Sequence, residues 1–343
     1  RRALGTNHVL THADWVETAD LRGDAGSADS AAALTNRAHR ASARPPGFSR
    51  PAAYDASAAF AALGRLLHDR GLRSARIGLD LDFWPAADFE FLQRSLTGPS
   101  WVDAGDLVGM IKAIKSPAEI ERLNRAAALA EAGMRAAIAA VQPGIHRDRI
   151  ASIWQDGVRE HAAREGWRYS GQWEYITVGP LPWQGGGSIA EGDVLKFDVG
   201  CLVDGYSSDS GRTFTLGPPR RHAREIMAAL QDAFEAGLEQ LRPGKLFSDV
   251  HAAATQAMRR AGFETFSRGH WGHSLGHDTF CEVPPFIAAE ARTPIEAGMV
   301  LAFETPFYAD GEGGFIIEDQ FLVTEHGPTA AWSLPRELRA LPL

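Results

Sequence analysis

The segment Val194-Leu195-Lys196-Phe197-Asp198-Val199-Gly200 indicates the fold of the chain most directly. Its apolar residues are typical of a buried strand, where an aspartate such as Asp198 is rare unless it is paired. The dipeptide Asp204-Gly205 follows it and favours a two-residue hairpin loop. With that loop, Asp198 faces Gly211, which makes Asp198 and Asp209 diagonal neighbours on one face. Two carboxylates there repel each other, so we expect a positive charge between them or a proton on one.

A second pair of acids follows the same pattern near the C-terminus. Residues 299–304 form an apolar run that ends in Glu304, and residues 313–319 lead through another apolar run to Glu318. A hairpin centred near Gly311 would place Glu304 and Glu318 opposite each other. For one pair alone, an acid on an edge strand facing water is an equally good interpretation. Two pairs in apolar strands favour a buried acidic site.

Three histidines lie between the two hairpins, within eight residues and surrounded by glycine. They are His270, His273 and His277 in the segment that runs from Arg268 to His277. A single histidine is more often structural, but the neutral imidazole is also the commonest nitrogen ligand of first-row metals. The clustering therefore predicts a ligand loop.

Composition limits the classes of function. The chain has 343 residues, 45% hydrophobic and 23% charged, which suits a globular protein of two domains. Its net charge of −8 argues against nucleic-acid binding, and no apolar run reaches the roughly 18 residues of a membrane helix. Two cysteines argue against a disulfide framework and favour a reducing compartment. We therefore expect a cytoplasmic protein without nucleic-acid or membrane partners.

The order of helical and strand patterns predicts a repeat. Residues 1–55 are expected to be irregular, and residues 56–105 to form a small α/β region. The capping sequence Ser116-Pro117-Ala118-Glu119 begins a long helix. Pro143-Gly144 and Pro243-Gly244 then each follow a long alanine-rich helix and precede a second helix and strands. Either this similarity is chance, or the C-terminal part is a pseudo-symmetric α+β domain with a site between its halves.

The ordered set of two aspartates eleven residues apart, a histidine and two glutamates resembles the M24 family of metallopeptidases. That family has the pita-bread fold and includes Xaa-Pro aminopeptidases, prolidases, methionine aminopeptidases and metal-free creatinases. The resemblance covers about residues 106–330, and within this range Ile114-Lys115-Ser116 resembles the junction found in the Xaa-Pro and creatinase branch. It implies an α+β pita-bread domain over 106–343, preceded by a smaller creatinase-type α/β domain that residues 1–105 supply in part. It also implies a homodimer.

The resemblance implies a centre of two divalent metal ions. Asp198 would bind one ion, His273 and Glu304 the other, and Asp209 and Glu318 would bridge them. Four carboxylates and one imidazole suit harder ions, so Mn²⁺ is expected first, with Fe²⁺, Co²⁺ or Zn²⁺ as alternatives. Glu304 is implied as the group that transfers a proton from the attacking water.

The residues that handle substrate depart from the family pattern. Phe280 or Cys281 stands where a second histidine is expected, and Gly269 stands where another belongs, with His270 one position away. His270 and His277 are therefore the candidates for the missing catalytic imidazoles. Aromatic residues near the predicted loops are usually core residues, but they also suit contacts to a hydrophobic or cationic substrate. The candidates for such contacts are Tyr206, Trp183, Trp271 and Phe280.

Three hypotheses of function remain open at this point. The first is a metal-dependent peptidase that cuts small peptides next to proline. The second is a family member that acts on a small amide or zwitterion, such as an ectoine-type hydrolase or a lyase, which the altered histidines favour. The third is a metal-free scaffold of the creatinase or histone-chaperone kind, which the five retained ligand positions disfavour.

Overall fold

The computed structural model describes residues 56–82, 84–183, 187–277 and 282–343, and these residues form two compact units that divide between Val108 and Gly109. The irregular region predicted for residues 1–55 lies outside the described residues. No helix in the described ranges is long and apolar enough to cross a bilayer.

The first unit is a small α/β arrangement of two helices and two strands. Its elements are α1 (Ser57–Asp69), β1 (Arg76–Leu79), α2 (Ala86–Ser95) and β2 (Ser100–Asp103). The two strands pair in parallel, with Ile77 opposite Trp101. Phe60 and Leu92 are buried between the helices and the strands, as the apolar spacing in both helices predicts. A further helix, α3 (Gly105–Ala113), runs across the division between the units.

The second unit contains the predicted tandem halves, each with two helices. The first half has α4 (Pro117–Ala140) and α5 (Arg147–Glu165), and the second has α6 (Arg221–Leu238) and α7 (Phe247–Arg260). The Pro-Gly turns between the helices are equivalent. Gly144 (φ 84°) donates its N–H to the carbonyl of Ile189 at 2.8 Å, and Gly244 (φ 85°) donates to that of Ile295 at 3.0 Å. These matched hydrogen bonds confirm the repeat. Two turns that were similar by chance would not also donate to equivalent residues about 45 to 50 positions further along the chain, as Gly144 does to Ile189 and Gly244 does to Ile295.

One large sheet joins the two halves. The strands of the second unit are β3 (Tyr169–Glu174), β4 (Thr177–Val178), β5 (Val194–Val203), β6 (Tyr206–Ser207), β7 (Ser210–Leu216), β8 (His270–Ser274), β9 (Val283–Ala288), β10 (Val300–Glu304), β11 (Phe307–Ala309), β12 (Gly313–Phe315), β13 (Glu318–Thr324), β14 (Gly327–Ala330) and β15 (Arg339–Leu341). The main order of the large sheet is β3-β5-β7-β13-β10-β8-β9, with four short strands paired to it, and a separate β11–β12 hairpin lies between β10 and β13 in the chain.

The helices cover one face of this sheet and leave the acids on the other. Phe197 and Val199 pack in the core of the first half, and Phe303 packs in the core of the second. Because side chains alternate along a strand, Asp198 and Glu304 point to the opposite face. The predicted acidic face is therefore built by the same alternation that forms the two cores.

Candidate metal centre

Three of the predicted acids lie in one row across the centre of the sheet. Asp198 on β5 is opposite Gly211 on β7, Gly211 is opposite Glu318 on β13, and Glu318 is opposite Glu304 on β10. Both predicted pairings, Asp198 with Gly211 and Glu304 with Glu318, are therefore confirmed. Paired residues point to the same face, so the three carboxylates share one side of the sheet.

The glycine in this row has no room for a side chain. A Cβ at Gly211 would lie 2.9 Å from the carbonyl oxygen of Phe197 and 2.7 Å from Cγ2 of Ile316. Asp198 and Glu318 thus flank a position without a side chain. Glycine is required at this position because Ile316 and the backbone of Phe197 already fill the place of a side chain.

The register of the first hairpin follows from its turn. Asp204 and Gly205 have φ values of 51° and 83°, the positive pair that a type I′ turn requires, and Val203 pairs with Tyr206 across it. The turn type fixes which residues of β5 and β7 face each other. It thereby places Asp198 and Asp209 on the same face, as the sequence predicts.

His273 reaches the same face from β8. It pairs with Ala302, two residues before Glu304, and its Nε2 lies 3.5 Å from Oδ2 of Asp209. Its Nδ1 lies 3.1 Å from the carbonyl oxygen of Ser274. A carbonyl can only accept, so Nδ1 carries the proton and Nε2 is the nitrogen directed at the acids. This is the orientation that a metal-ligating histidine requires.

Asp209, His273 and Glu318 form a buried cluster that fits a cation. One potential ligand atom from each lies within 4.8 Å of the others. Oδ1 of Asp209 and Oε2 of Glu318 are buried and accept no hydrogen bond within the described part of the protein. An unpaired buried carboxylate oxygen is costly, whereas carboxylate and imidazole groups together are suitable ligands for divalent ions.

The shifted pKa values of the cluster also indicate that a cation would be stabilised there. Burial, opposed by the hydrogen bond to His273 and reinforced by the charge of Asp198, raises the pKa of Asp209 to about 7. Burial and the charge of Asp209 raise the pKa of Glu318 well above its usual range. Burial lowers the pKa of His273, but the hydrogen bond to Asp209 and the charges of Asp209 and Glu304 together outweigh burial and raise that pKa to about 9. Without a cation, the cluster therefore retains protons that ordinary carboxylates release.

The two outer acids are each paired with a cationic side chain. Nη2 of Arg268 lies 2.6 Å from Oε1 of Glu304, and Nζ of Lys196 lies 3.1 Å from Oδ2 of Asp198. His270 is also at the site, with Nδ1 3.6 Å from Oε1 of Glu304. The cluster of ligand atoms within 4.8 Å does not extend to Asp198 or Glu304. The five predicted ligands thus share one face, but three are close together and two have other partners.

A buried ion pair supports the strand that carries Glu318. Nη2 of Arg212 lies 2.6 Å from Oδ1 of Asp319, and its Nη1 donates to the carbonyl oxygen of Glu318 at 2.6 Å. Arg212 is on β7 beside Gly211, so one side chain joins β7 to the start of β13. It holds the backbone of Glu318 in place.

Two of the predicted functional side chains pack against each other beside the first turn. The ring centroids of His277 and Tyr206 are 5.3 Å apart, and Oη of Tyr206 lies 3.3 Å from Oε1 of Glu119. A Cβ on Gly205 would touch Nε2 of His277 at 2.8 Å. Tyr206 therefore joins the first hairpin to the start of helix α4, and neither ring belongs to the cluster of Asp209.

The predicted aromatic contacts differ in their surroundings. Trp271 is fully buried, donates Nε1–H to Thr255 at 2.9 Å and stacks on Phe266, which is the environment of a core residue. Trp183 is 63% exposed and stacks on Tyr308 with centroids 4.1 Å apart. Phe280 lies outside the described residues. Only Trp183 among the described candidates combines exposure with a partner near the acids.

Three residues that contact or sense the acids were not predicted as part of the site. Lys196 and Arg268 pair with the outer acids, and burial and the charges of Asp198 and Glu304 raise the pKa of Tyr308. The sequence could have predicted Lys196, because it lies inside an apolar strand two residues before Asp198. Residues two apart on a strand point to the same face of the sheet. Arg268 begins the histidine segment, but its partner is on another strand.

The sheet and the cluster together match a known architecture. A two-half α+β sheet with a buried group of carboxylates and one imidazole at its centre is the pita-bread arrangement, and these side chains suit a divalent metal ion. Solved structures agree: the Xaa-Pro dipeptidase from Bacillus anthracis matches with a TM-score of 0.74 at 22% identity, covering 89% of this chain and 84% of that one.

The sequence comparisons give the family. The model of metallopeptidase family M24 matches residues 121–325, more than half of the chain, which therefore belongs to that family. The ectoine hydrolase of Halomonas elongata is 28% identical over 295 residues, 80% of this chain and 72% of the relative. The Xaa-Pro dipeptidase of Pyrococcus furiosus is 28% identical over 239 residues, 68% of this chain and 67% of the relative. The resemblance to the Xaa-Pro branch is confirmed, and the protein is a metallohydrolase.

Proposed function

We propose that this chain is a hydrolase with two divalent metal ions that removes the N-terminal residue of small peptides when proline follows it. The observation that carries the proposal is the buried cluster of Asp209, His273 and Glu318 with its two unpaired carboxylate oxygens. The relatives named as Xaa-Pro dipeptidases support the choice of substrate.

Five residues would hold the ions. Asp198 would bind one, His273 and Glu304 the other, and Asp209 and Glu318 would be shared, with Mn²⁺ preferred because the donors are mostly carboxylates. Ions bound there polarise a substrate carbonyl and lower the pKa of water.

Glu304 is our candidate for the group that takes the proton from the attacking water and returns it to the leaving amine. Arg268 donates to Oε1 of Glu304 at 2.6 Å, and His270 lies 3.6 Å from the same atom. Both contacts are to Oε1, so we propose that Oε2 is the oxygen that takes the proton. We propose His270 as a positioning residue for Glu304, because it contacts that side chain.

Substrate contacts are proposed at the exposed aromatic pair. Trp183 stacks on Tyr308, whose pKa is raised by burial and then by the charges of Asp198 and Glu304. An apolar surface beside a carboxylate site suits a proline ring. Trp271 is left out because its indole is in the core, and Tyr206 because it packs on helix α4. His277 and Phe280 stay predictions.

One experiment tests the activity directly. The Mn²⁺-loaded protein is incubated with Ala-Pro, Ala-Pro-Ala and the matched peptide Ala-Ala-Ala, and products are followed by liquid chromatography and mass spectrometry. We expect release of alanine from the two proline peptides. Glu304→Gln should lower kcat by about 100-fold or more, and Glu325→Gln, an exposed glutamate on a turn, should not. Absence of cleavage by protein with full metal content would contradict the peptidase proposal.

A second candidate function is hydrolysis of a small amide or zwitterion. The similarity to the ectoine hydrolase and the replaced histidines favour it. One contact counts against a cationic ligand at the aromatic residues, because Nζ of Lys196 already lies 3.8 Å from the centre of the Tyr175 ring. Ectoine added to the same assay separates the candidates. Turnover of ectoine without turnover of the peptides would replace the first proposal with the second.

The assembly and location are also proposals. We expect a homodimer and a cytoplasmic location, and residues 1–105 as a creatinase-type domain. Light scattering on the purified protein should give twice the chain mass of 37.1 kDa. A mass equal to one chain at micromolar concentration would contradict the dimer.

A further inference from the structure

Lys196 is a buried lysine next to the acidic face of the sheet. Its side chain is 0% exposed, and Nζ lies 3.1 Å from Oδ2 of Asp198. Lys196 and Asp198 are two residues apart on β5, so both point to the same face. Burying an ammonium group is costly unless a partner compensates its charge. Asp198 is the partner that the structure provides.

The lysine is held in place from several sides. Its ammonium lies 3.8 Å from the ring centre of Tyr175 and 5.5 Å from that of Tyr308, an arrangement that stabilises a cation. A Cβ on Gly314 would meet Cδ of Lys196 at 3.4 Å, so β12 packs along the aliphatic stem. The cation is therefore a fixed part of the site and differs from a mobile surface lysine.

Two of the four carboxylates at the site have a lysine or arginine partner and two do not. Lys196 pairs with Asp198 and Arg268 pairs with Glu304, while Asp209 and Glu318 keep unpaired oxygens. When all four carboxylates are ionised, the two cationic side chains neutralise half of their charge. The remaining charge equals that of one divalent ion. A second divalent ion must compete with a built-in cation for Asp198.

We propose that Lys196 is the internal counter-ion of Asp198 and makes the two metal positions unequal. The first ion binds at Asp209, His273 and Glu318, where two buried carboxylate oxygens have no hydrogen-bond partner in the described part of the protein. The second binds only when Asp198 exchanges Lys196 for metal, so its affinity is set by this lysine. The inference rests on the metal centre of the proposed function and adds a residue outside the ligand set.

The test is calorimetric titration of the metal-free protein with Mn²⁺ at one pH. The wild type should bind two equivalents in separate steps at least tenfold apart in affinity. Lys196→Met removes the charge and keeps the stem, and it should tighten the second step about tenfold or more while the first changes little, as expected for loss of a close charge pair. Lys196→Arg should restore the wild-type difference. Lys245→Met, at an exposed lysine in a loop, should leave both steps unchanged.

The outcomes separate this inference from the proposed function. Two steps of equal affinity in the wild type, or a second step that is unchanged or weaker in Lys196→Met, overturn the role of Lys196 and leave the hydrolase proposal intact. No binding of metal by the wild type overturns both. If Lys196→Met does not fold by circular dichroism, Lys196→Gln takes its place, with the same tightening expected and the same contradicting result.

Discussion

At the scale of single residues, the site depends on positions that would tolerate no other side chain. Gly211 separates Asp198 from Glu318 in the row of paired residues, and Gly272 (φ 137°) lies where a Cβ would be 2.1 Å from the carbonyl oxygen of Ala302. Neither glycine binds anything itself. Both allow strands to approach closely enough for acids on different strands to share a cation.

Substitution of Gly211 should therefore affect both stability and metal binding. The Cβ of Gly211→Ala would collide with the backbone of Phe197, and we expect a loss of about 1–3 kcal/mol in the free energy of unfolding. Gly109→Ala is the control, because a Cβ there meets nothing within 4 Å. Urea titration measures both variants. Equal stability of Gly211→Ala and the wild type would contradict the packing described for the row.

A second residue, Lys115, should make the free energy of unfolding depend on pH. Nζ of Lys115 donates to the carbonyl oxygen of Ala113 and to Oγ of Ser274, and burial lowers its pKa from 10.5 to about 8. Below pH 8 the lysine is protonated in both states, and the folded state bears the cost of the buried charge. Between pH 8 and 10.5 only the unfolded chain keeps the proton, so the contribution of Lys115 to stability rises with pH.

Comparison with Lys115→Met isolates this effect. From pH 7 to pH 10, the free energy of unfolding of the wild type should rise relative to that of the variant. Glu119 and Lys112 also act on Lys115, but both are present in the two proteins. A difference between wild type and variant that stays constant over this range would contradict a lowered pKa.

At the scale of elements, helix α4 is fixed at its start by the residue that also contacts the first hairpin. Oε2 of Glu119 accepts the backbone N–H of Ser116 at 2.8 Å, and its Oε1 lies 3.3 Å from Oη of Tyr206. The same carboxylate thus caps the start of helix α4 and joins the helix to β6. Loss of this group should loosen the contact between helix and hairpin.

Glu119→Ala tests this role. We expect a loss of about 1 kcal/mol in the free energy of unfolding, the usual effect of losing a helix cap. Glu121→Ala is matched on the same helix, since Glu121 has only an exposed pair with Arg125, and it should cost about 0.5 kcal/mol or less. The two variants are compared by thermal and urea unfolding. A larger effect at Glu121 would contradict the cap.

The elements also explain what the sequence could predict. The type I′ turn at Asp204-Gly205 and the two-residue alternation of β5 and β10 are local, so the pairing of Asp198 with Gly211 and of Glu304 with Glu318 follows from them. The ion pair of Arg268 with Glu304 joins residues 36 positions apart and depends on side-chain reach, which no local pattern encodes. Trp271 was predicted to contact substrate but lies in the core. The sequence cannot separate these two cases, because an aromatic residue next to a predicted metal ligand is equally common in a pocket and in a core.

At the scale of the whole molecule, the large sheet brings together the proposed ligands from both halves. Asp198 and Asp209 come from the first half, and His273, Glu304 and Glu318 come from the second. Equivalent Pro-Gly turns and paired helices support the two sides of the sheet. Metal bound at the centre would hold the halves together, because it binds the folded state and not the separated strands.

Metal should therefore stabilise the protein as a whole. At a free Mn²⁺ concentration 100 times the dissociation constant, we expect about 2.7 kcal/mol of added stability, and a chelator should remove it. Glu318→Ala should show no such gain. Melting temperatures with and without Mn²⁺ measure the effect, and an equal gain in wild type and Glu318→Ala would place the ion elsewhere.

The most direct measurement of the central claim is the metal content of the protein, determined by mass spectrometry after loading with Mn²⁺ and removal of free ions. The wild type should retain metal, approaching two ions per chain at saturating Mn²⁺, and Asp209→Ala should lose it. A wild type that retains no metal, or an Asp209→Ala variant that retains as much as the wild type, would contradict a metal centre at Asp209, His273 and Glu318.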